Sequence, residues 1–132
     1  MEEWEINFEW LRIRNQIKDA FKKPELPDLN AVLLLVGIQI LGRWQKTYTK
    51  EEKQDLMHIA ICELLSQQGI YVFKGRDADG WPHYDRVTKS PVEGPEAQER
   101  YLIEQKQLLG ASAKILEINP NHHIIKKISL EI

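Results

Sequence analysis

Residues 31–36 read Ala-Val-Leu-Leu-Leu-Val, and coiled into a helix they are apolar on every side. A helix without a polar face persists in water only when other elements enclose it. Asp28 just before the run has a side chain that caps helix starts, and Gly42 after it can take the left-handed turn that ends one. The spacing therefore predicts a buried central helix over about 29–42. The run from Ala31 to Leu41 would measure about 16 Å as a helix, half of a ~30 Å hydrocarbon layer, so it belongs to a protein core and not to a membrane span.

A second enclosed helix is expected over about 50–68. Thr49 with Glu52 three residues on forms a capping-box pattern, and Glu51 and Glu52 suit the positive end of the helix dipole. From Leu56 to Leu65 the polar side chains are His58 and Glu63. Gly69 marks the end. Ahead of both helices, Trp10, Ile13, Ile17 and Phe21 form one helical stripe, which predicts a helix over about 8–22 that stops before Pro24 and Pro27. Residues 3–10 alternate apolar and polar in the strand-like period of two, and the spacing leaves open whether the helix begins as early as Glu2.

The period changes after Gly69. Ile70 to Phe73 is β-branched and aromatic, Arg76 to Gly80 is turn chemistry, and Trp81 to Val87 can return as a second strand whose Pro82 suits an edge. A β-hairpin packed on the helices is expected. Ser90 to Pro95 reads as a linker, and Pro95 opens a fourth helix with the stripe Leu102, Leu109, Ala113 and Leu116, breakable at Gly110. Asn119-Pro120-Asn121 reads as a turn, and the tail 122–132 is open between helix and strand. The expected fold is mainly α with a small β-hairpin: about four helices, the second and third central. Residues 1–90 would form the helical core with its hairpin, and 91–132 a C-terminal helix and tail packed on the same domain or on a partner chain.

At 132 residues the chain is long enough for one self-sufficient core. The 18 Lys and Arg against 20 Asp and Glu argue against a dedicated nucleic-acid binder, which concentrates positive charge to meet phosphates. A single cysteine, Cys62, permits no intrachain disulfide and fits a reducing compartment. The acidic start Met1 to Glu5 is opposite in charge to a secretory signal. A cytoplasmic protein without a membrane or nucleic-acid partner is expected.

Chemistry could gather at few places. Glu51, Asp55, His58 and Cys62 are spaced four, three and four apart, so they share one face of the helix over 50–68. Carboxylate, imidazole and thiolate are metal-ligand types, which makes Asp55, His58 and Cys62 the candidate metal ligands; the competing reading is an Asp55–His58 hydrogen bond beside an inert core thiol. A Cys62–His58 nucleophilic dyad is opposed by the position of Cys62 deep in the helix among apolar neighbours. Asp77-Ala78-Asp79-Gly80 resembles the centre of a calcium loop, but Gly75 and Arg86 stand at its first and twelfth positions, so a turn is the better reading. Gln39 is the polar residue of the apolar helix and needs hydrogen-bond partners. Gln39, Asp55, His58 and His83 thus form a candidate polar cluster, structural or pocket-lining, and Trp81 and Tyr84 are candidate pocket or interface aromatics. His122 and His123 read as a solvent-facing pair. No P-loop, dinucleotide fingerprint, G-x-S-x-G or H-E-x-x-H motif occurs.

Asp28-Leu29-Asn30-Ala31, Gly37-Ile38-Gln39, Gln54 to Ala60, Gly75-Arg76-Asp77 and Asp79 to His83 together resemble a small family of uncharacterised bacterial proteins, over about residues 8–86. That resemblance implies a class of protein and no activity. A second stretch, Ile115 to Lys127, resembles a segment of the C-terminal dimerisation domain of the Hsp90 chaperones, and implies a turn at Asn119–Asn121 followed by helix. The first functional expectation is a non-catalytic, self-associating protein–protein interaction module with no cofactor, because four Trp, four Tyr and three Phe exceed what the visible core needs. The alternative is a small metal- or ligand-binding protein or enzyme using Asp55, His58 and His83.

Overall fold

The structure, a computed structural model, describes residues 2–45 and 47–116. The turn expected at Asn119–Asn121, the pair His122 and His123, the tail and nearly all of the Hsp90-like stretch lie outside the described residues. Those described fold as α1 (Glu3–Ala20), α2 (Leu29–Leu41), α3 (Lys50–Ser66), the strands β1 (Tyr71–Arg76) and β2 (Pro82–Arg86), then α4 (Pro95–Glu104) and α5 (Lys106–Ile115). The fold is mainly α with one antiparallel hairpin, as the sequence predicts. No helix among the described residues is long and apolar enough to cross a membrane.

The two central helices start and stop on the expected residues. Asp28 Oδ1 accepts the Ala31 amide at 2.8 Å, and Gly42 takes the left-handed conformation at φ 82°. Thr49 and Glu52 exchange the two bonds of a capping box at 3.1 and 2.8 Å. Nearly all of α2 is buried, and it packs on α3 more extensively than any other pair of helices. At their crossing the backbones all but touch: a Cβ built on Gly37 would come within 2.6 Å of the Leu56 carbonyl carbon. Leu34, Ile38, Leu41 and Leu56 make a small core beside this contact, covered by Trp44, Tyr48 and Trp81. Val32, Leu33, Leu35 and Val36 join α1, α4 and α5 in the main core.

α1 begins at Glu3, so residues 3–10 are helical. Glu5 accepts the Glu2 amide at 3.3 Å, half of a capping box, and the inner stripe Trp10, Ile13, Ile17 and Phe21 is buried as expected. The alternation in residues 3–10 has a helical cause. Trp4 and Phe8 lie on one face and Ile6 and Trp10 on the opposite one, so two helical stripes interleave and imitate a period of two.

The expected fourth helix is two helices. Gln105 adopts an extended conformation (φ −75°, ψ 127°) and separates α4 from α5, while Gly110 sits inside α5 without breaking it. One extended residue resets the helical phase, so the buried face of α5 is Leu108, Ser112 and Ile115, one residue earlier than the expected Leu109, Ala113 and Leu116. Leu102, Ile103, Leu108 and Ile115 fold back into the main core.

The glycines at 37 and 110 should respond to alanine in opposite ways. Gly37→Ala forces a side chain into backbone and should cost about 1–3 kcal/mol or more. Gly110→Ala meets open space within a helix and should add about 0.5–1 kcal/mol. Leu34→Ala, at a fully buried site, should cost about 2–5 kcal/mol. Urea unfolding monitored by circular dichroism reads all three.

Candidate functional site

The predicted polar residues reach separate places. Glu51, Asp55, His58 and Cys62 do share a face of α3, but that face is covered only at Cys62, whereas Asp55 and His58 are exposed. His58 Nε2 lies 3.4 Å from Cys62 Sγ, and the His58 ring meets the edge of Tyr71 at 6.1 Å. Burial pushes the Cys62 thiol up to about 11, so it stays protonated at neutral pH and is a poor nucleophile despite the adjacent imidazole. His83 lies on β2, and its Nε2 reaches across to Asp77 of the turn, 2.8 Å from Oδ2, in an exposed pair. Gln39 lines a shallow depression with Glu63, Gln67, Gln107 and Lys114. No hydrogen bond joins any two of Gln39, Asp55, His58 and His83. The enclosed cluster is not assembled because hydrophobic burial selects the faces that meet, and these four side chains stand at the margins of those faces. Among the described residues no group of three or more His, Cys, Asp or Glu side chains is arranged to hold a metal ion.

The hairpin is tied down by contacts that spacing does not reveal. Arg76 donates to the carbonyls of Ile40 at 2.7 Å and Leu41 at 3.3 Å, and to Gly80 of its own turn at 2.8 Å. A helix ends with carbonyls that lack partners and with a partial negative charge, and a guanidinium answers both. Asp77 Oδ1 accepts the amides of Asp79 and Trp81, which closes the turn. The Tyr84 hydroxyl donates to Glu63 Oε2 at 2.6 Å, and its ring meets the edge of Phe73 at 5.6 Å. Desolvation, reinforced by the Glu63 bond, raises the Tyr84 hydroxyl above its ordinary range. Tyr84 thus anchors the hairpin to α3, and Trp81 covers the core at the Leu56 level.

The outer face of α1 is different in kind. Trp4, Phe8 and Leu11 are 68%, 61% and 46% exposed, and their spacing of four and three aligns them in one stripe. Single exposed apolar residues are common, but a Trp, a Phe and a Leu in line form a contiguous patch. One flank is occupied by α4, whose Arg100 donates to Asn7 Oδ1 at 2.5 Å and lies 3.6 Å from Glu3. The other flank carries Glu5 and Arg12, with Arg12 paired to Glu9 at 2.5 Å. The sequence contained this stripe at positions 4, 8 and 11, hidden by the inner stripe interleaved with it.

Comparison with known proteins finds local similarity to the chaperone protein HtpG. The HtpG of Orientia tsutsugamushi (strain Boryong) is 57% identical over 54 residues, which take in 36% of this chain and 9% of that protein. The HtpG proteins of Rickettsia akari (strain Hartford) and Rickettsia typhi (strain ATCC VR-144 / Wilmington) are 67% identical over 30 residues, 23% of this chain and 5% of theirs. The match therefore spans less than a tenth of the length of these relatives. No family model matches the chain, and no solved structure matches it.

Two outcomes test the chemistry of these places. The Cys62 thiol should resist alkylation at neutral pH in the native protein and react on unfolding, as followed by mass spectrometry. The Asp77 carboxyl is held below its usual range, first by His83 and then by the turn amides. A depressed carboxyl favours the fold above its unfolded pKa, and that contribution fades as pH falls through the folded value. His83→Ala should move the Asp77 titration upward in a carboxyl-detected NMR experiment.

Proposed function

We propose that this chain is a non-catalytic cytoplasmic protein–protein interaction module that associates with itself. The exposed stripe Trp4–Phe8–Leu11 on α1 carries the reading. Aromatic residues dominate the energetics of protein interfaces because they bury much area at low entropic cost. Water-facing aromatics aligned on a well-formed helix contribute nothing to the core beneath, and a partner is what would bury them. The local likeness to HtpG, a chaperone, agrees with a role in protein contacts. The alternative, a small metal- or ligand-binding protein or enzyme using Asp55, His58 and His83, has less behind it, because no hydrogen bond joins any two of the three and Asp55 and His58 are exposed.

Light scattering over a hundredfold range of concentration tests the reading. The wild type should rise from its monomer mass of 15.5 kDa toward twice that value. The double variant Trp4→Ser, Phe8→Ser should stay monomeric while its unfolding free energy stays within about 0.5 kcal/mol, as expected for surface positions. A wild type that remains monomeric throughout excludes self-association.

A further inference from the structure

We infer that the partner of α1 is α1 of a second copy, packed antiparallel through the Trp4–Phe8–Leu11 stripe and held in register by Glu5 of each copy beside Arg12 of the other. This rests on the interaction reading above and specifies its geometry.

Three observations lead to it. The first is self-complementary shape. A stripe of three residues related by a two-fold axis between Phe8 and Leu11 sets Phe8 of each copy on Leu11 of the other, with Trp4 closing each end. A two-fold contact uses the same patch twice, so a patch that can cover itself needs no other surface.

The second is charge. Glu3, Glu5 and Glu9, with Glu2 at the cap, make the first half of α1 acidic, and Arg12, Arg14 and Lys18 outweigh Asp19 in the second. Antiparallel pairing lays the acidic half of one helix along the basic half of the other and opposes the two helix dipoles. Parallel pairing stacks like on like. Electrostatic complementarity of this kind selects orientation and partner more than it adds affinity.

The third is which flank is free. Two helices related by a two-fold axis perpendicular to them present the same flank to each other, so Glu5 must meet Arg12 across that flank. The Asn7 flank is already held by Arg100 of α4. On the Glu5 and Arg12 flank the hydrogen bonds among the described residues stay local: Arg12 bonds Glu9 and Gln16, both on α1, and the Glu5 carboxylate accepts the Glu2 amide. Both side chains have remaining capacity toward a second copy.

Charge reversal tests the pairing on the full chain. Glu5→Arg and Arg12→Glu, each alone, should weaken association about five- to tenfold, since the two-fold axis counts each pair twice. A mixture of the two variants should associate better than either one. Because Glu5 also serves the helix start, Glu5→Cys and Arg12→Cys supply a second measurement under oxidised glutathione. Mixed together, they should yield the mixed disulfide in preference to either self-linked dimer. Self-linked 5–5 and 12–12 dimers would mean parallel pairing and overturn the geometry while leaving self-association standing. Association untouched by charge reversal, with no disulfide in any combination, would place the contact elsewhere. A chain that never associates would end both the geometry and the reading beneath it.

Discussion

Two backbones come so close at the crossing of α2 and α3 that Gly37 has no room for a Cβ beside Leu56. Helices of ordinary composition are held about 8–10 Å apart by their side chains. A glycine at the crossing removes the spacer, and α2 settles against α3 with the Leu56 carbonyl where a Cβ would be. Leu34, Ile38 and Leu41 then close on Leu56 around the contact. An α2 held this near to α3 hides that side of itself, and its other sides must be hidden as well. α1 with its inner stripe covers one, and α4 and α5 fold back to cover another. The arrangement of the outer helices is thus a consequence of how little of α2 can be left in water.

The same helix explains the hairpin. α2 ends where Ile40 and Leu41 still carry unpartnered carbonyls, and Arg76 reaches them across some thirty-five residues of sequence. The guanidinium also holds the Gly80 carbonyl, so one side chain fastens the helix end and shapes the turn. Asp77 completes the turn from the other side with its two accepted amides, and His83 pairs with the oxygen that remains. Arg76, Asp77, Gly80 and Trp81 stand together in the sequence, and each makes a hydrogen bond in this junction.

Much of this was legible from residue types. Asp28, Gly42, Thr49 and Glu52 mark helix ends by chemistry that acts over three or four residues, so local reading finds them. The hairpin was legible for the same reason. The break at Gln105 was not: glutamine has no intrinsic preference for ending a helix, and it is the burial of Leu108 and Ile115 on the core that favours the extended residue before them. The polar cluster failed for a related reason. That Asp55, His58 and Cys62 share a face follows from helical spacing, but which part of the face is covered depends on where the hairpin lies. Cys62 is enclosed and His58, one turn away, is not. Gln39 finds its place beside α5, whose phase the sequence did not reveal.

The outer face of α1 raises a separate question, because part of its pattern has a local cause. Acidic residues early in a helix and basic ones late stabilise it through the dipole, and Glu3, Glu5 and Lys18 need no partner to be favourable there. The dipole acts within the first and last turns, so it does not account for Arg12 in the middle of the helix. Nor does it account for Trp4 and Phe8. Glutamine or lysine at those positions would preserve the helix, the capping box and the inner stripe alike, since neither ring touches the core. Their apolar surface is a cost in the isolated chain that none of the described contacts offsets, and that surface is bounded on one side by α4 and on the other by opposite charges set seven residues apart. A cover that is itself a helix, apolar at the same spacing and oppositely charged along its flank, meets every one of these conditions, and α1 of another copy is such a helix.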